Sequence, residues 1–526
     1  MIIASSRTCT RMRAAVAVAV VTALTLSACS TRNSESSSPK AEIDGGTIIW
    51  SKPAEAVALD PTTSLIGSSW ELLNIVYDQL VTIDEQQQVQ PSLAESWENP
   101  SPNEYIFHLR GDVKFSNGRQ LSADDVVGTF ERYLDPASGS LAPALLGQDT
   151  KVIKVDDLTV KFELVSPNVD FLKALAATFM SILPMEEIDA GDLDPASELL
   201  GSGPFMVENH VENEVWELTR NPHAWQPARV DGITVRIVPD DSARVAALRD
   251  GSTDIATFDL PEAGKLLDGS PNTEVVVQNR SDYYILQLNA ISNPAFKDER
   301  VRQAVSYALD REAIKDVALS GLGEPTGPAS SALEPSCDLS STPGYIRDIE
   351  KARSLLQAAG QSDLSFEIIY SGDPFGRIAQ VIQQNLREVN VDVKLTNLEE
   401  GVWLQRAWVD SPAKMDATVT WFAGYSGPTL AMNWWNPEIA GFTAGLQLDD
   451  PEVNAAIASA QEATDDAEGA VQRACEAVAT QANQIPLLTK PITVAYRSDQ
   501  VAAEFAAIDG VIDPLAAVES FARLAE

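Results

Sequence analysis

Residues 366–395 read FEIIYSGDPFGRIAQVIQQNLREVNVDVKL, and this stretch has the pattern of a strand, a helix and a second strand. Residues 366–370 are mainly β-branched and aromatic, which favours a strand. Asp373-Pro374 is typical of a helix start, with aspartate as the N-cap and proline at the first helical position. Apolar residues then recur at helical spacing over 375–389, and residues 391–395 are extended again. The stretch predicts a βαβ unit.

A second stretch has the same order of elements. Residues 233–238 form a β-branched run, and residues 242–250 have a helical pattern that Gly251 is placed to end. An extended pattern resumes at residues 254–256. This spacing also fits a crossover unit between parallel strands.

The N-terminal half of the chain mixes the two patterns as well. Residues 47–50 have the pattern of a strand, and residues 105–109 alternate between apolar and polar side chains. Two capping boxes, Ser68-x-x-Glu71 and Ser122-x-x-Asp125, each precede an apolar run at helical spacing. The predicted fold class is therefore α/β. No Gly/Pro-rich linker interrupts residues 45–526, so its lobes are expected to share several chain crossings.

The amino-acid composition and net charge disfavour several classes of function. The 526 residues are 44% hydrophobic and 22% charged, which is typical of a globular protein. Lys and Arg total 38 against 76 Asp and Glu, and the resulting net charge of −38 disfavours nucleic-acid partners. The three histidines, His108, His210 and His223, have no helical ligand spacing between them, so we expect no HExxH-type metal site and no cofactor.

The N-terminus has the pattern of a secretion signal. Arg7, Arg11 and Arg13 precede the apolar run 14–26, which is too short to cross a bilayer. The run ends in Leu26-Ser27-Ala28-Cys29, which resembles the lipobox of bacterial lipoproteins. The resemblance implies cleavage after residue 28 and attachment of diacylglycerol and acyl chains such as palmitate to Cys29. The protein would then lie on the outer face of the cytoplasmic membrane, which is the periplasmic side in a Gram-negative cell.

The Ser-rich stretch that follows the lipobox predicts a flexible tether over residues 29–44, with ordered structure from Gly45 onward. Two cysteines, Cys337 and Cys475, remain in the mature chain, in an oxidising compartment. They form either a disulfide or two free buried thiols, since spacing alone does not distinguish these states.

Ten short strings occur in a fixed order along the mature chain. They are LDP (59–61), VYDQLV (76–81), PSLAESWE (91–98), FHLR (107–110), FSNG (115–118), ADDV (123–126), GSGPF (201–205), RNPHAW (220–225), LRDGSTDI (248–255) and VRQAVSYALDR (301–311). In this order they resemble the solute-binding proteins of oligopeptide and dipeptide ABC importers, bacterial extracellular solute-binding protein family 5. The resemblance covers residues 45–505.

The resemblance implies a periplasmic-binding-protein-like two-lobed clamp of type II with an additional domain. The implied segments are a signal peptide at 1–28, a tether at 29–44, a first lobe from 45–80, 201–290 and 492–526, an additional domain at 81–200 inserted in that lobe, and a second lobe at 291–491. It further implies a monomer that captures oligopeptides or a related small solute and delivers it to ABC permease subunits in the membrane. Gly201 and Gly203 are candidate hinge residues, with a plain surface turn as the alternative.

The expected ligand residues lie in an aromatic-rich stretch. Five of the ten tryptophans fall between residues 403 and 435, and we expect Trp421, Tyr425 and Trp434 to line the cleft, with core packing as the alternative. Gly424 stands where peptide-binding members usually carry an aspartate for the peptide's ammonium group. The solute is therefore a peptide held by another acid, an N-blocked or non-peptide solute such as a sugar or opine, or a metal chelate.

Two other classes of function compete with solute binding. An extracellular hydrolase would need a catalytic pair or a nucleophile motif, but neighbouring acids on a helix or strand point apart, and no Gly-x-Ser-x-Gly is present. A passive surface lipoprotein would need no closable cleft. We therefore expect no enzyme activity and no catalytic residues.

Overall fold

Two large β-sheets organise the chain, in a computed structural model that describes residues 40–64, 67–84, 86–258, 260–503 and 518–525. The strands are β1 (Glu42–Ile43), β2 (Thr47–Lys52), β3 (Val81–Ile83), β4 (Val89–Pro91), β5 (Ala94–Ser101), β6 (Glu104–Leu109), β7 (Lys151–Asp156), β8 (Thr159–Glu163), β9 (Phe205–Val211), β10 (Val215–Arg220), β11 (Gly232–Ile237), β12 (Ile255–Phe258), β13 (Thr273–Gln278), β14 (Tyr283–Leu288), β15 (Ser365–Tyr370), β16 (Asp392–Asn397), β17 (Ala417–Phe422), β18 (Gln484–Thr489), β19 (Ile492–Arg497), β20 (Val501–Ala502) and β21 (Ala522–Leu524).

Helices cover and connect these sheets. The α-helices are α1 (Gly67–Val76), α2 (Ala123–Leu134), α3 (Ala142–Leu146), α4 (Phe171–Leu175), α5 (Met185–Ala190), α6 (Asp241–Asp250), α7 (Pro261–Leu266), α8 (Glu299–Ala308), α9 (Arg311–Ala318), α10 (Ile349–Ala358), α11 (Phe375–Arg387), α12 (Glu400–Leu404), α13 (Pro451–Glu462) and α14 (Ala467–Gln481). Single turns of other helix types lie at Thr178–Met180, Ala295–Lys297, Gln405–Val409, Ala431–Trp435, Gly441–Thr443 and Val518–Ser520. Across the described ranges, no helix has the length and apolar character needed to cross a membrane.

The first large sheet has seven strands in the order β13-β19-β12-β2-β11-β10-β9. Strand β2 is central and pairs in parallel with both β11 and β12, so the chain from β11 through α6 to β12 crosses over β2. Helix α6 ends at Gly251, whose φ of 80° is accessible to glycine at little cost. The crossover unit predicted from residues 233–256 is confirmed.

The second large sheet has five strands in the order β16-β15-β17-β14-β18. Strands β15 and β16 pair in parallel on either side of α11, which confirms the βαβ unit predicted from residues 366–395. The predicted helix start is one residue early, because Pro374 is the N-cap and Asp373 lies outside the helix.

A smaller antiparallel sheet, β5-β6-β8-β7, lies in the chain between α1 and β9. Its core is a set of buried aromatic rings, with Phe162 edge-on to Phe107 at 5.4 Å and to Phe130 at 4.9 Å. The capping box of α2 is present as predicted, with Ser122 and Asp125 bonded to each other's backbone N–H groups.

The other predicted capping box is wrong. Ser68 lies inside α1, and the Glu71 carboxylate pairs instead with the buried Lys52 ammonium at 2.5 Å. Lys52 also donates a 2.6 Å hydrogen bond to the Ser68 carbonyl oxygen. A buried cation needs a counter-charge, and this need outweighs the local capping preference of Glu71.

Only two short connections join the described strands of the two large sheets. The chain passes from β13 to β14 through residues 279–282, and it returns from β18 to β19 through residues 490–491. We call the described residues of 41–278, 492–503 and 518–525 the first lobe, and residues 283–489 the second lobe. The predicted boundary at residue 290 is late, because β14 pairs with β17 and β18 in the five-stranded sheet.

The N-terminal boundary also differs from expectation. The predicted tether over residues 29–44 includes Glu42–Ile43, which is strand β1 and pairs with Arg523 and Leu524. Regular structure therefore starts before Gly45. The predicted signal peptide, Cys29 and the remainder of the tether before Lys40 lie outside the described residues.

A disulfide joins Cys337 to Cys475 within the second lobe, with their Cα atoms 5.8 Å apart. Cys475 belongs to α14, and Cys337 lies between α9 and α10. The bond closes a loop with a sequence separation of 138 residues. It therefore ties a long segment without regular structure to a helix of the same lobe.

We expect reduction of this disulfide to lower the free energy of unfolding by about 3–5 kcal/mol, because it releases a long loop in the unfolded chain. Urea unfolding with and without a phosphine reductant measures the change. The double variant Cys337→Ser/Cys475→Ser serves as the control and should not respond to the reductant. Equal stability of the oxidised and reduced protein would show that the bond does not constrain the chain.

Candidate functional site

The junction between the lobes is built from two adjacent chain segments. One is the connection 279–282, and the other is the loop 423–430 that follows β17. The Gly424 N–H donates to Asp282 Oδ1 at 3.1 Å, and the Ser281 hydroxyl donates to the Tyr425 carbonyl oxygen at 2.6 Å. The loop is thereby fixed to the first connection between the lobes.

The loop and the connection lie so close together at position 424 that only glycine fits there. A Cβ atom at position 424 would lie 2.0 Å from the Ser281 carbonyl oxygen and 2.2 Å from its carbon. Both are backbone atoms and cannot rotate away. An aspartate at position 424, which the resemblance to peptide-binding members implies, therefore cannot be accommodated without moving the connection between the lobes.

Asp282 supplies a carboxylate beside this position. Its side chain is fully buried, Oδ1 accepts from Gly424, and Oδ2 has no hydrogen-bond partner among the described residues. Burial raises the pKa of Asp282 to about 6, although the nearby charges of Arg280 and Lys490 and the Gly424 N–H act to lower it. The sequence patterns did not indicate Asp282 as a site residue, because its only distinguishing feature is its position directly before the apolar strand β14.

Two of the three aromatic residues expected in the cleft lie together. The rings of Tyr425 and Trp434 have their centroids 5.8 Å apart, and both side chains are buried. The Tyr425 ring also lies 5.9 Å from the ring of Phe179, which belongs to the first lobe. Tyr425 and Phe179 therefore meet across the junction.

Trp421 takes a different position. It lies on β17 opposite Tyr284, it is half-buried, and the Lys490 ammonium lies 5.2 Å from its ring centroid. Lys490 is in the second connection between the lobes. Trp421 therefore flanks that connection, where a ring face favours a cation.

Both lobes place buried polar atoms without a hydrogen-bond partner near the junction. Among the described residues these include Ser64 Oγ and Thr178 Oγ1 in the first lobe, and Asp282 Oδ2 and Tyr283 Oη at the start of the second. Thr178 precedes Phe179, whose ring lies 5.5 Å from that of Trp70, and the Trp70 indole donates to the Ser64 carbonyl. Each unpartnered polar group costs about 1–3 kcal/mol, so this arrangement fits a polar solute that supplies the missing bonds.

Gly201 and Gly203 do not lie on a connection between the two large sheets. They join the smaller sheet's segment to β9, and a Cβ at Gly201 would lie 2.0 Å from the Val76 carbonyl oxygen. The Gly203 N–H donates to that same oxygen at 2.9 Å. These glycines allow close backbone packing at the end of α1. The described chain passes between the two large sheets at residues 279–282 and 490–491.

The described residues contain no group of three or more His, Cys, Asp or Glu side chains arranged to hold a metal ion. Aromatic rings, a buried carboxylate and backbone groups meet at the junction between the two lobes, an arrangement that fits a two-lobed solute-binding protein. The family described as bacterial extracellular solute-binding proteins, family 5 Middle, matches residues 88–441. The chain belongs to this family, which confirms the resemblance found in its sequence. It binds an extracytoplasmic solute for an ABC importer.

Individual relatives agree with this membership. The periplasmic oligopeptide-binding protein OppA of Haemophilus influenzae is 30% identical over 471 residues, covering 80% of this chain and 83% of OppA. DppA from Helicobacter pylori, solved with the peptide STSA, has a TM-score of 0.79 at 23% identity and covers 92% of this chain and 99% of its own. NikZ from Campylobacter jejuni, solved with Ni(L-His), has a TM-score of 0.77 at 21% identity and covers 90% and 99%. The two solved structures support the clamp fold.

We expect Gly424→Ala to lower the free energy of unfolding by roughly 1–3 kcal/mol, because the new methyl group would overlap the Ser281 backbone. Gly441→Ala is a matched control in the same region, since a Cβ there meets no atom within 4 Å. The control should change stability by less than about 0.5 kcal/mol. Chemical unfolding of the two variants measures the difference, and equal effects would mean that Ser281 does not restrict position 424.

Proposed function

We propose that the solute is a peptide with a free amino terminus, and that Asp282 pairs with its ammonium group. The observation that carries the proposal is the buried Asp282 carboxylate at the junction, with one oxygen unpartnered among the described residues. An ammonium group buried without a counter-charge would cost several kcal/mol. Position 424 has no room for an acidic side chain, so we assign the pairing with the peptide's ammonium group to the neighbouring Asp282.

The environment of Asp282 supports pairing with a cation. Its raised pKa means that burial penalises the charged form more than the nearby Arg280 and Lys490 stabilise it. A ligand ammonium would add the missing stabilisation and a charge-assisted hydrogen bond to Oδ2. The rings of Tyr425 and Trp434 would cover the adjacent part of the peptide. OppA and DppA, which are named or solved as peptide binders, support the same class of solute.

The cellular setting belongs to the same proposal. Cys29 is the lipid attachment site, and it anchors a monomer to the outer face of the cytoplasmic membrane, where it passes the peptide to the permease subunits of an ABC importer. The lipobox at residues 26–29 supports the anchor. The protein acts by binding alone and changes no covalent bond, which agrees with the membership of its family.

We expect Asp282→Asn to weaken the binding of tri-alanine roughly 10- to 100-fold, because the charge-assisted bond to the ammonium group is lost. Isothermal calorimetry on the mature protein measures this. N-acetyl-tri-alanine has no ammonium group, so the variant should bind it no more weakly than the wild-type protein does.

Asp78→Asn is the matched control for this substitution. Asp78 is also an aspartate with a raised pKa, and it is half-buried, but its hydrogen-bond donors, Ser202 and Trp225, belong to the first lobe. Its replacement should leave the affinity for tri-alanine unchanged. Equal losses in both variants, or equal losses for the free and the acetylated peptide, would contradict the pairing of Asp282 with an amine.

The affinity for tri-alanine should also depend on pH. In the free protein Asp282 has a pKa of about 6, so below that value it is protonated and no longer attracts a cation. The affinity should fall about tenfold per pH unit below 6, and it should fall again above about 8, where the peptide amine loses its proton. A flat calorimetric profile between pH 5 and pH 7 would contradict the proposal. Acetylated tri-alanine should give no such maximum.

A further inference from the structure

The smaller-sheet segment is covalently joined to the first lobe alone. It begins after α1 and returns at β9, and neither end lies in the second lobe. Every contact between this segment and the second lobe is therefore noncovalent. Such contacts must break when the lobes separate about residues 279–282 and 490–491.

One of these contacts is a buried hydrogen-bonded pair. Asp170 Oδ2 accepts from the Thr429 N–H at 2.9 Å and from the Thr429 hydroxyl at 2.7 Å. Asp170 is 4% exposed and Thr429 is 1% exposed. The loop also fits closely around the carboxylate, because a Cβ at Gly427 would lie 2.5 Å from Asp170 Cγ.

Further hydrogen bonds extend this contact in both directions. The Val169 N–H donates to the Gln461 carbonyl oxygen at 2.9 Å, and the Asn433 amide donates to the Ala144 carbonyl oxygen at 2.6 Å. The Gln461 side chain donates to Asn433 Oδ1 at 2.9 Å, which links the two bonds on the second-lobe side. The Asp170–Thr429 pair is thus the buried carboxylate contact within a group of hydrogen bonds that join the smaller-sheet segment to the second lobe.

The loop that Asp170 contacts also carries the proposed ligand wall. At its start, Gly424 is bonded to Asp282, and at its end Thr429 is bonded to Asp170. Tyr425 lies between these two anchors and has a φ of 56°, a backbone conformation that non-glycine residues rarely adopt. The position of its ring therefore depends on both anchors.

We propose that Asp170 is a positioning residue whose two bonds to Thr429 latch the closed clamp and set the loop that carries Tyr425. Protein bonds then hold part of the closed population in the absence of solute. The Arg377–Glu262 ion pair at 3.1 Å also joins the lobes, but its carboxylate is more exposed, so it contributes less. The inference rests on closure of the two lobes, and it does not depend on which solute is bound.

Amide hydrogen exchange of the solute-free mature protein tests the latch. Thr429→Val removes the hydroxyl at nearly constant volume, whereas Thr429→Ser keeps it. The Val169 amide reports on opening, since its acceptor Gln461 lies in the other lobe. The Leu183 amide, bonded to the Thr129 hydroxyl within the same segment at 3.0 Å, reports on local stability. We expect Thr429→Val to speed Val169 exchange about tenfold while Leu183 is unchanged, and Thr429→Ser to behave like wild type.

Ser202→Ala is the matched control, because it removes a buried hydroxyl that donates to another aspartate, Asp78, without touching the second lobe. It should leave Val169 exchange unaltered. Unchanged Val169 exchange in Thr429→Val would overturn the latch, and so would equal acceleration of Val169 and Leu183, which would indicate local unfolding instead of opening. Because no solute is added, either outcome is independent of the proposed peptide specificity.

Discussion

The arrangement of the molecule depends on the two short crossings that join its large sheets. Residues 279–282 and 490–491 are the only places where the chain passes between the described strands of these sheets. Their side chains include Asp282 and Lys490, both buried, and the loop that carries Tyr425 is bonded to the first crossing. The proposed hinge and the proposed ligand site therefore share the same residues, so a solute that contacts Asp282 would act directly on this hinge.

Steric exclusion at Gly424 underlies the proposed role of Asp282. With the Ser281 backbone within 2.2 Å of any Cβ at position 424, the crossing and the loop pack too closely for a side chain. Asp282 places a carboxylate beside Gly424 from the opposite segment, and its Oδ1 accepts from the Gly424 N–H at 3.1 Å. The cost of burying that carboxylate appears in its raised pKa, and a cationic ligand group would offset it.

Sequence patterns predict correctly those features that depend on residues close to one another in the chain. The two crossover units and the Ser122 capping box follow from spacing and N-cap chemistry, and the ordered strings identified the family.

The Ser68 capping box was predicted wrongly, because Glu71 is the counter-charge of Lys52, a partner distant in sequence. The boundary near residue 290 and the importance of Asp282 were missed for a related reason: the apolar run Tyr283–Leu288 fits either sheet, and only tertiary pairing assigns it. Tyr425 and Trp434 lie together, whereas Trp421 flanks the other crossing, and their role in binding a solute stays a prediction.

Small-angle X-ray scattering of the mature protein, titrated with tri-alanine, tests closure about these crossings most directly. The two lobes should approach each other as tri-alanine binds, so the radius of gyration should fall along the same saturation curve that calorimetry gives. A constant radius of gyration while calorimetry records saturable binding would contradict the account, because the solute would then occupy a site that does not draw the lobes together.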